Sequence, residues 1–445
     1  MLRSKSMLAE RLVTAKVSIA PLVTFRLLFG LLMLASVIRF CAYGWIHQQY
    51  IAPRVYFPFL PGVEPLPGVG MYAVFFVMAL ASAGIALGWF YRISTATFFV
   101  LFTYVELIDK TNYLNHYYFL SLIAFLLIWM PAHGDFSMDV RRGARRATDH
   151  VPVGFMNVLR FQLMVVYFFA GLAKINSDWL LSAQPMKMWL SANTHRPVLG
   201  PILRYKLTAY VFSWFGMVYD LSIAFFLSLN VTRRFAFLCV VVFHLMTWWL
   251  FPIGMFPFIM IGLTTVFFSP EEHLKVLRQL KSLFRWQDSP DVQNIRISNP
   301  LVKLFAVFMA LQVLIPLRFL SYPGDVFWTE AGYRFSWRVM LMEKAGSATF
   351  YVRDSDTGRQ SMVANYEHLT PQQEKMMATQ PDMLVQYAHY LHDYYLQQGM
   401  TDPIVTADVF VTLNGRPSTR FIDPEVDLSK RSVIGSHSLV LPHTH

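Results

Sequence analysis

Lys174 ends the apolar run Val165-Val166-Tyr167-Phe168-Phe169-Ala170-Gly171-Leu172-Ala173-Lys174, a setting in which an ammonium is costly to keep. A lysine so placed either reaches water with its flexible stem or sheds its proton as desolvation lowers its pKa. The second outcome leaves a neutral amine, which is a base. Asn115 and His116 open another apolar run, where a histidine serves either chemistry or the helix start. His244 lies within Val242-Phe243-His244-Leu245-Met246, and a neutral imidazole bonded to a neighbouring helix is expected there. Asp220, in Val218-Tyr219-Asp220-Leu221-Ser222, needs a cationic partner, for which Arg26, Arg39 and Arg160 are the candidates. Asp178 and Trp179, one turn beyond Lys174, read as an interfacial anchor with the carboxylate toward water and the indole at headgroup depth.

The elements that position these residues belong to a membrane protein. Of 445 residues 55% are hydrophobic and only 15% charged, a composition that excludes an ordinary soluble domain. The net charge of +11 does not imply nucleic acid, because the basic residues lie largely between apolar segments. Cys41 and Cys239 both fall inside apolar segments, so neither a disulfide framework nor a cysteine metal site is expected. Arg3, Lys5, Arg11 and Lys16 precede the first apolar run without a small-residue cleavage site, so that run reads as a retained helix.

Segments of about 20 residues can be placed near 20–45, 71–91, 94–109, 115–132, 155–175, 206–229, 233–252, 253–269 and 300–320. The expected fold class is therefore a multi-pass α-helical membrane protein with about nine transmembrane helices. With the N-terminus inside, the inner loops hold Arg92, the cluster at Arg141, Arg142, Arg145 and Arg146, the pair Arg233 and Arg234, and Lys275, Arg278, Lys281 and Arg285. That distribution obeys the positive-inside rule and puts everything after residue 320 outside the cytoplasm. The division is 1–320 for the polytopic transmembrane domain and 321–445 for an extracytoplasmic α+β, strand-rich module. Strand and turn signals lie at Ala348 to Gly358 and at Val405 to Gly415, and helical spacing runs from Gln372 to Gln397.

Several stretches carry a resemblance. Asp109-Lys110-Thr111 through Asn115-His116-Tyr117-Tyr118, then Tyr167 to Lys174 with Asp178-Trp179, then Phe243-His244 with Phe251-Pro252-Ile253-Gly254-Met255-Phe256, together with Trp328 to Trp337 and Arg420 to Asp427, resemble the vitamin K-dependent gamma-glutamyl carboxylase family. The resemblance implies an enzyme that couples oxygenation of reduced vitamin K (phylloquinol or menaquinol) to its 2,3-epoxide with carboxylation of glutamate in a peptide or protein, O2 and CO2 being co-substrates. It makes Lys174 the base that deprotonates the hydroquinone, with His116 and Asn115 beside it as catalytic residues. Tyr333, Ser336 and Trp337 match the segment that handles the glutamate substrate. The chain is shorter than the animal enzymes, cannot form their interdomain disulfide, and has Ala173-Lys174 where they have two lysines. These departures imply a bacterial-type homologue in the cell's inner membrane, whose partners are the bilayer, the quinol and a glutamate-bearing chain. Alternatives are a quinol epoxidase without carboxylation, a transporter with Lys174, His116 and His244 along its path, and a non-catalytic scaffold. Transport finds no support in paired Gly/Pro-broken helices at matching positions of two halves.

Overall fold

The computed structural model describes residues 12–197 and 199–443; Arg3, Lys5 and Arg11 lie outside the described residues. Among the described residues nine apolar helices form the bundle: α1 (Ala20–Ala42), α2 (Gly70–Leu87), α3 (Tyr91–Ile108), α4 (Asn115–Trp129), α5 (Gly154–Ala173), α6 (Lys206–Ser228), α7 (Arg233–Leu250), α8 (Phe256–Thr264) and α10 (Asn299–Leu317). The polar amphipathic helix α9 (Pro270–Leu283) lies between the last two. Among the described residues seven helices are long and apolar enough to cross a membrane; α4 and α8 are shorter. Helix α4 is confined between an extended Leu114 and the bend before Pro131, and the chain enters α8 only after Pro252 and a left-handed Gly254 have broken the run from α7. At about 1.5 Å per residue neither spans a full hydrocarbon core alone. Each reaches the depth at which Asn115 and Phe256 face the same space.

Apolar burial gives little drive for helix association inside lipid, so close contact at small residues takes its place. Gly171 shows this. A Cβ there would fall 2.7 Å from the Leu221 nitrogen and 3.1 Å from the Asp220 carbonyl carbon. The bare backbone thus lets α5 and α6 touch, and this contact sets the distance between Lys174 and Asp220.

The C-terminal module is held by aqueous physics. Strands β3 (Lys344–Arg353) and β5 (Ile404–Leu413) pair antiparallel along their whole length, from Lys344 opposite Leu413 to Arg353 opposite Ile404. Strands β4 (Gln360–Met362) and β6 (Thr419–Arg420) flank them in the order β4-β3-β5-β6; the other described strands, β1 (Lys16–Ser18) and β2 (His150–Pro152), form a separate ribbon. Alternate residues of β5, Val405, Ala407, Val409, Val411 and Leu413, are buried in the module core with Tyr387, Ala388 and Leu391. The helical spacing between Gln372 and Gln397 resolves into two helices, α11 (Pro371–Met377) and α12 (Pro381–Gln397). Pro381 is the reason for the break, since a ring nitrogen without a proton suits a first helical turn and not an interior.

The module and the bundle share material. Val55 and Phe57, from the loop between α1 and α2, are buried in the module core, as is Trp328, while Trp337 belongs to the core of the bundle. Between those two indoles the backbone is left-handed at Glu330, Gly332, Phe335 and Trp337. At Gly332 a Cβ would strike the Phe319 backbone at 2.8 Å, which leaves room for glycine alone. Polar clamps complete the joint. Lys110 and Arg334 hold Asp382 at 2.8 and 2.7 Å, and Asp178 accepts hydrogen bonds from Asn414 and Arg416. Asp178 therefore ties the module down instead of pointing to water. Trp179 is buried below it and not exposed at the surface, with its Nε1 donating to the Ser213 carbonyl at 2.8 Å.

Burial alone would raise both clamp carboxyls. The hydrogen bonds from Arg416 and Asn414 outweigh it at Asp178, and the charges of Arg334 and Lys110 hold Asp382 at about 2. A depressed carboxyl stabilises the joint fully above the unfolded value of about 3.9 and loses that contribution as pH falls through the folded value. Thermal unfolding of the module is therefore expected to be level from neutrality to about pH 4 and to drop toward pH 2. Asp382→Asn should lower it at neutral pH and flatten that drop; an unchanged acid profile in the variant would remove this clamp from the account.

Candidate functional site

The ends of α1, α5 and α7, the starts of α4, α6 and α8, and the turn at Lys110 to Asn112 that follows α3 converge on a cavity of about 1060 Å³ roofed by the module. Lys174 and His116 both line it, and so do Asp220, His244, Tyr333, Trp337 and Arg338. On one flank Val211, Phe215, Leu238, Val242 and Met246 line the cavity while remaining exposed on the outer surface of α6 and α7. The cavity therefore opens sideways, between two membrane helices, onto lipid.

Lys174 does not snorkel. It is buried, and its Nζ donates to Asp220 Oδ2 at 2.7 Å and to the Ala170 carbonyl at 3.2 Å, with the Trp179 ring 5.5 Å away. Asp220, also buried, thus pairs with Lys174 and not with Arg26, Arg39 or Arg160. The position of Asp220 along its helix gave no sign of which helix would face it. Arg26 donates instead to the Phe136 carbonyl, and Arg160 to that of Val266. The pair has consequences for a base. Two buried charges gain by attraction and lose by desolvation, and the shared proton has two places to sit. On Asp220 it leaves a neutral pair and an amine with a free lone pair.

His116 stacks on Phe256 with ring centroids 5.1 Å apart. Its nitrogens make no hydrogen bond among the described residues, so they are available to cavity contents. His244 is bonded to the Tyr167 hydroxyl at 3.0 Å, as expected for an imidazole engaged with a neighbouring helix. Asn115 uses both ends of its amide on structure. Its Nδ2 donates to the Arg338 carbonyl at 2.9 Å and its Oδ1 accepts from Tyr113, whose hydroxyl in turn accepts the Phe335 N–H. The side chain pins the 333–338 segment to the start of α4.

Of the three residues expected to handle substrate, Tyr333 and Trp337 line the cavity. Trp337 is buried and stacked on Tyr118 at 5.1 Å, and among the described residues its indole N–H has no acceptor. Ser336 is buried beside them and donates to the Tyr333 carbonyl; the cavity lining does not include it. Sequence reasoning did not single out Arg338. This cation is buried against Phe319 and Phe327, its Nε is unpaired, and no carboxylate lies within ion-pair distance among the described residues. Burial pushes its pKa down. The only sequence signal was its place directly after Trp337. Lys375 joins it in the roof, while Lys344, also at the cavity, is held by Glu330 at 3.0 Å. Among the described residues no cluster of three metal-binding side chains occurs.

Gly171→Leu is expected to lower the stability of the bundle by about 1–3 kcal/mol through overpacking, read as a fall in the thermal midpoint of purified protein. Gly171→Ala, with one methyl against the same backbone, should fall between it and the wild type. Equal midpoints for all three would mean that α5 and α6 are not held by this contact.

Comparison with known proteins agrees with the two-part build. Residues 15–271 match the HTTM domain family, and residues 297–445 match the vitamin K-dependent gamma-carboxylase lumenal domain. No solved structure matches the chain significantly. With more than half of its length in the first match and most of the remainder in the second, the chain belongs to the vitamin K-dependent gamma-glutamyl carboxylase family.

Proposed function

We propose that this integral membrane protein is a vitamin K-dependent gamma-carboxylase whose cavity takes a reduced quinone, phylloquinol or menaquinol, and a glutamate side chain together. The observation that carries the reading is that one cavity gathers the Lys174–Asp220 pair, the free nitrogens of His116 and the roof residues Tyr333, Trp337 and Arg338 while opening on lipid. An apolar flank between α6 and α7 suits a lipophilic ring, and the unpaired N–H of Trp337 and the Arg338 Nε suit oxygen acceptors. When bound, the reduced quinone supplies, with O2, the oxidative drive: one oxygen atom ends in the 2,3-epoxide, the other in water, and the glutamate exchanges a γ-proton for a carbon–carbon bond to CO2.

The chain's own part is proton handling, orientation and dryness. Lys174 Nζ accepts the first proton, with Asp220 holding the proton the amine would otherwise carry. This differs from a base created by desolvation or a positive neighbour, because the neighbour here is a carboxylate. His116 orients or stabilises charge from the opposite wall. Asn115 acts as a positioning residue through the Arg338 carbonyl. Arg338 is placed to receive a glutamate carboxylate, with Tyr333 and Trp337 shaping the acceptor site and Ser336 supporting Tyr333. Buried apolar walls exclude water that would quench a strong base. Residues 1–320 form the bilayer part in this reading and 321–445 the extracytoplasmic part, in a bacterial inner membrane.

Lys174→Arg keeps charge and approximate length but cannot yield a free base. Purified variant given reduced vitamin K, O2, labelled bicarbonate and a glutamate peptide is expected to form neither epoxide nor fixed label. Small amines should partly restore Lys174→Ala in proportion to their free-base fraction. Full activity of the arginine variant would remove Lys174 from the mechanism, and epoxide without fixed label in the wild type would leave a quinol epoxidase. Orientation is tested separately: reporters fused at residues 143 and 285 should respond as cytoplasmic and one at residue 430 as external, and the reverse would invert the site's side of the membrane.

A further inference from the structure

The bundle contains a second cavity, of about 560 Å³, at the end opposite the one described above. It lies where the start of α5, the end of α6, the start of α7 and the first half of α10 meet. Its walls are mostly apolar, with Val158, Phe161, Met164, Phe305 and Met309 among them, and two guanidinium groups, Arg160 and Arg233, stand at its rim. Arg142, Arg146, Arg234 and Lys281 each have a carboxylate partner. Arg160 and Arg233 have none among the described residues. Arg160 donates through Nε to the Val266 carbonyl at 3.0 Å, and Arg233 donates to the carbonyls of Leu227 and Ser228 at 3.0 and 3.3 Å. Both side chains are thus held in place by backbone, and among the described residues their remaining N–H donors have no hydrogen-bond acceptor.

Two fixed like charges at the mouth of an apolar slot repel each other unless an anion sits between them. A group that suits both the charges and the slot has an anionic head and hydrocarbon tails. We propose that this cavity binds one anionic phospholipid, its phosphate bridging Arg160 and Arg233 and an acyl chain lying along Phe161, Met164 and Met309 between α5 and α10. The site is distinct from the Lys174 cavity and independent of the chemistry proposed there. Its effect on the fold is direct, because it ties the start of α5, the helix that carries Lys174, to α7 and α10.

The test uses the full chain purified in a mild detergent, with lipid removed by exchange. Phosphatidylglycerol, phosphatidylcholine and inorganic phosphate are added in separate arms, and bound lipid and the thermal midpoint are measured. Phosphatidylglycerol alone should be retained and should raise the midpoint. Arg160→Gln with Arg233→Gln should retain roughly tenfold less of it, whereas Arg278→Gln, an exposed charge outside the cavity, should behave as wild type. Ala306→Trp fills the slot while leaving both guanidinium groups intact, and it should also lose the lipid. Equal retention of phosphatidylcholine, equal stabilisation by inorganic phosphate, or undiminished phosphatidylglycerol in the double variant would overturn the proposal. If the double variant does not fold, the tryptophan variant decides: retention at the wild-type level overturns the proposal and loss supports it.

Discussion

An amine and a carboxylate 2.7 Å apart inside an apolar bundle form the constraint around which the other parts are arranged. Neither group is tolerable alone at that depth, so α5 and α6 must arrive in register, and they do so because Gly171 presents no side chain to Leu221 and Asp220. The pair also fixes what its neighbours must be. Trp179 lies over the lysine and keeps it from water, and it can do so only because its own N–H is satisfied by Ser213. Asp178, next in sequence, is then free to face the other way and hold the module. One turn of chain thus links the buried pair to the docking of a separate core.

The two cores obey different rules and are joined where the rules change. Inside the bundle, association depends on small residues and on polar groups finding partners. In the module, burial of Phe350, Val352 and Tyr387 is driven by release from water. The segment from Trp328 to Trp337 has one indole in each core. Its left-handed residues are a local expense that persists only because both ends are fixed, and this rigidity is what gives the cavity a firm roof.

Much of the architecture was legible because it follows from period and composition. The nine apolar helices lie within a few residues of the stretches read from hydropathy, and the alternation in β5 announced a strand with one buried face. What was not legible depends on partners distant in the chain. Asp220 could be seen to need a cation, yet the candidates were three arginines in other helices and not Lys174, since helix neighbours are not encoded in spacing. The burial of Trp179 was hidden for a similar reason: the carbonyl that takes its indole N–H belongs to Ser213, on another helix. Pro381 was a visible stop signal that the run of helical spacing from Gln372 to Gln397 concealed. The site residues show the same limit. Lys174 and His116 were individually conspicuous, whereas the value of Arg338 lies in having no carboxylate partner among the described residues, which only a folded chain can display.

The sideways mouth between α6 and α7 changes the meaning of concentration for whatever enters it. A cavity that opens on hydrocarbon equilibrates with the bilayer, so its occupancy follows the mole fraction of a solute in the membrane and not its amount per litre of buffer. A sparingly soluble compound is already enriched there by partition before it meets the protein. Modest intrinsic affinity then suffices for high occupancy, and adding inert lipid or detergent dilutes the solute and empties the site without touching a single contact. Apparent affinities compared between preparations thus carry the volume of the apolar phase as a hidden variable, and for a cavity with this opening they become comparable only when expressed per lipid.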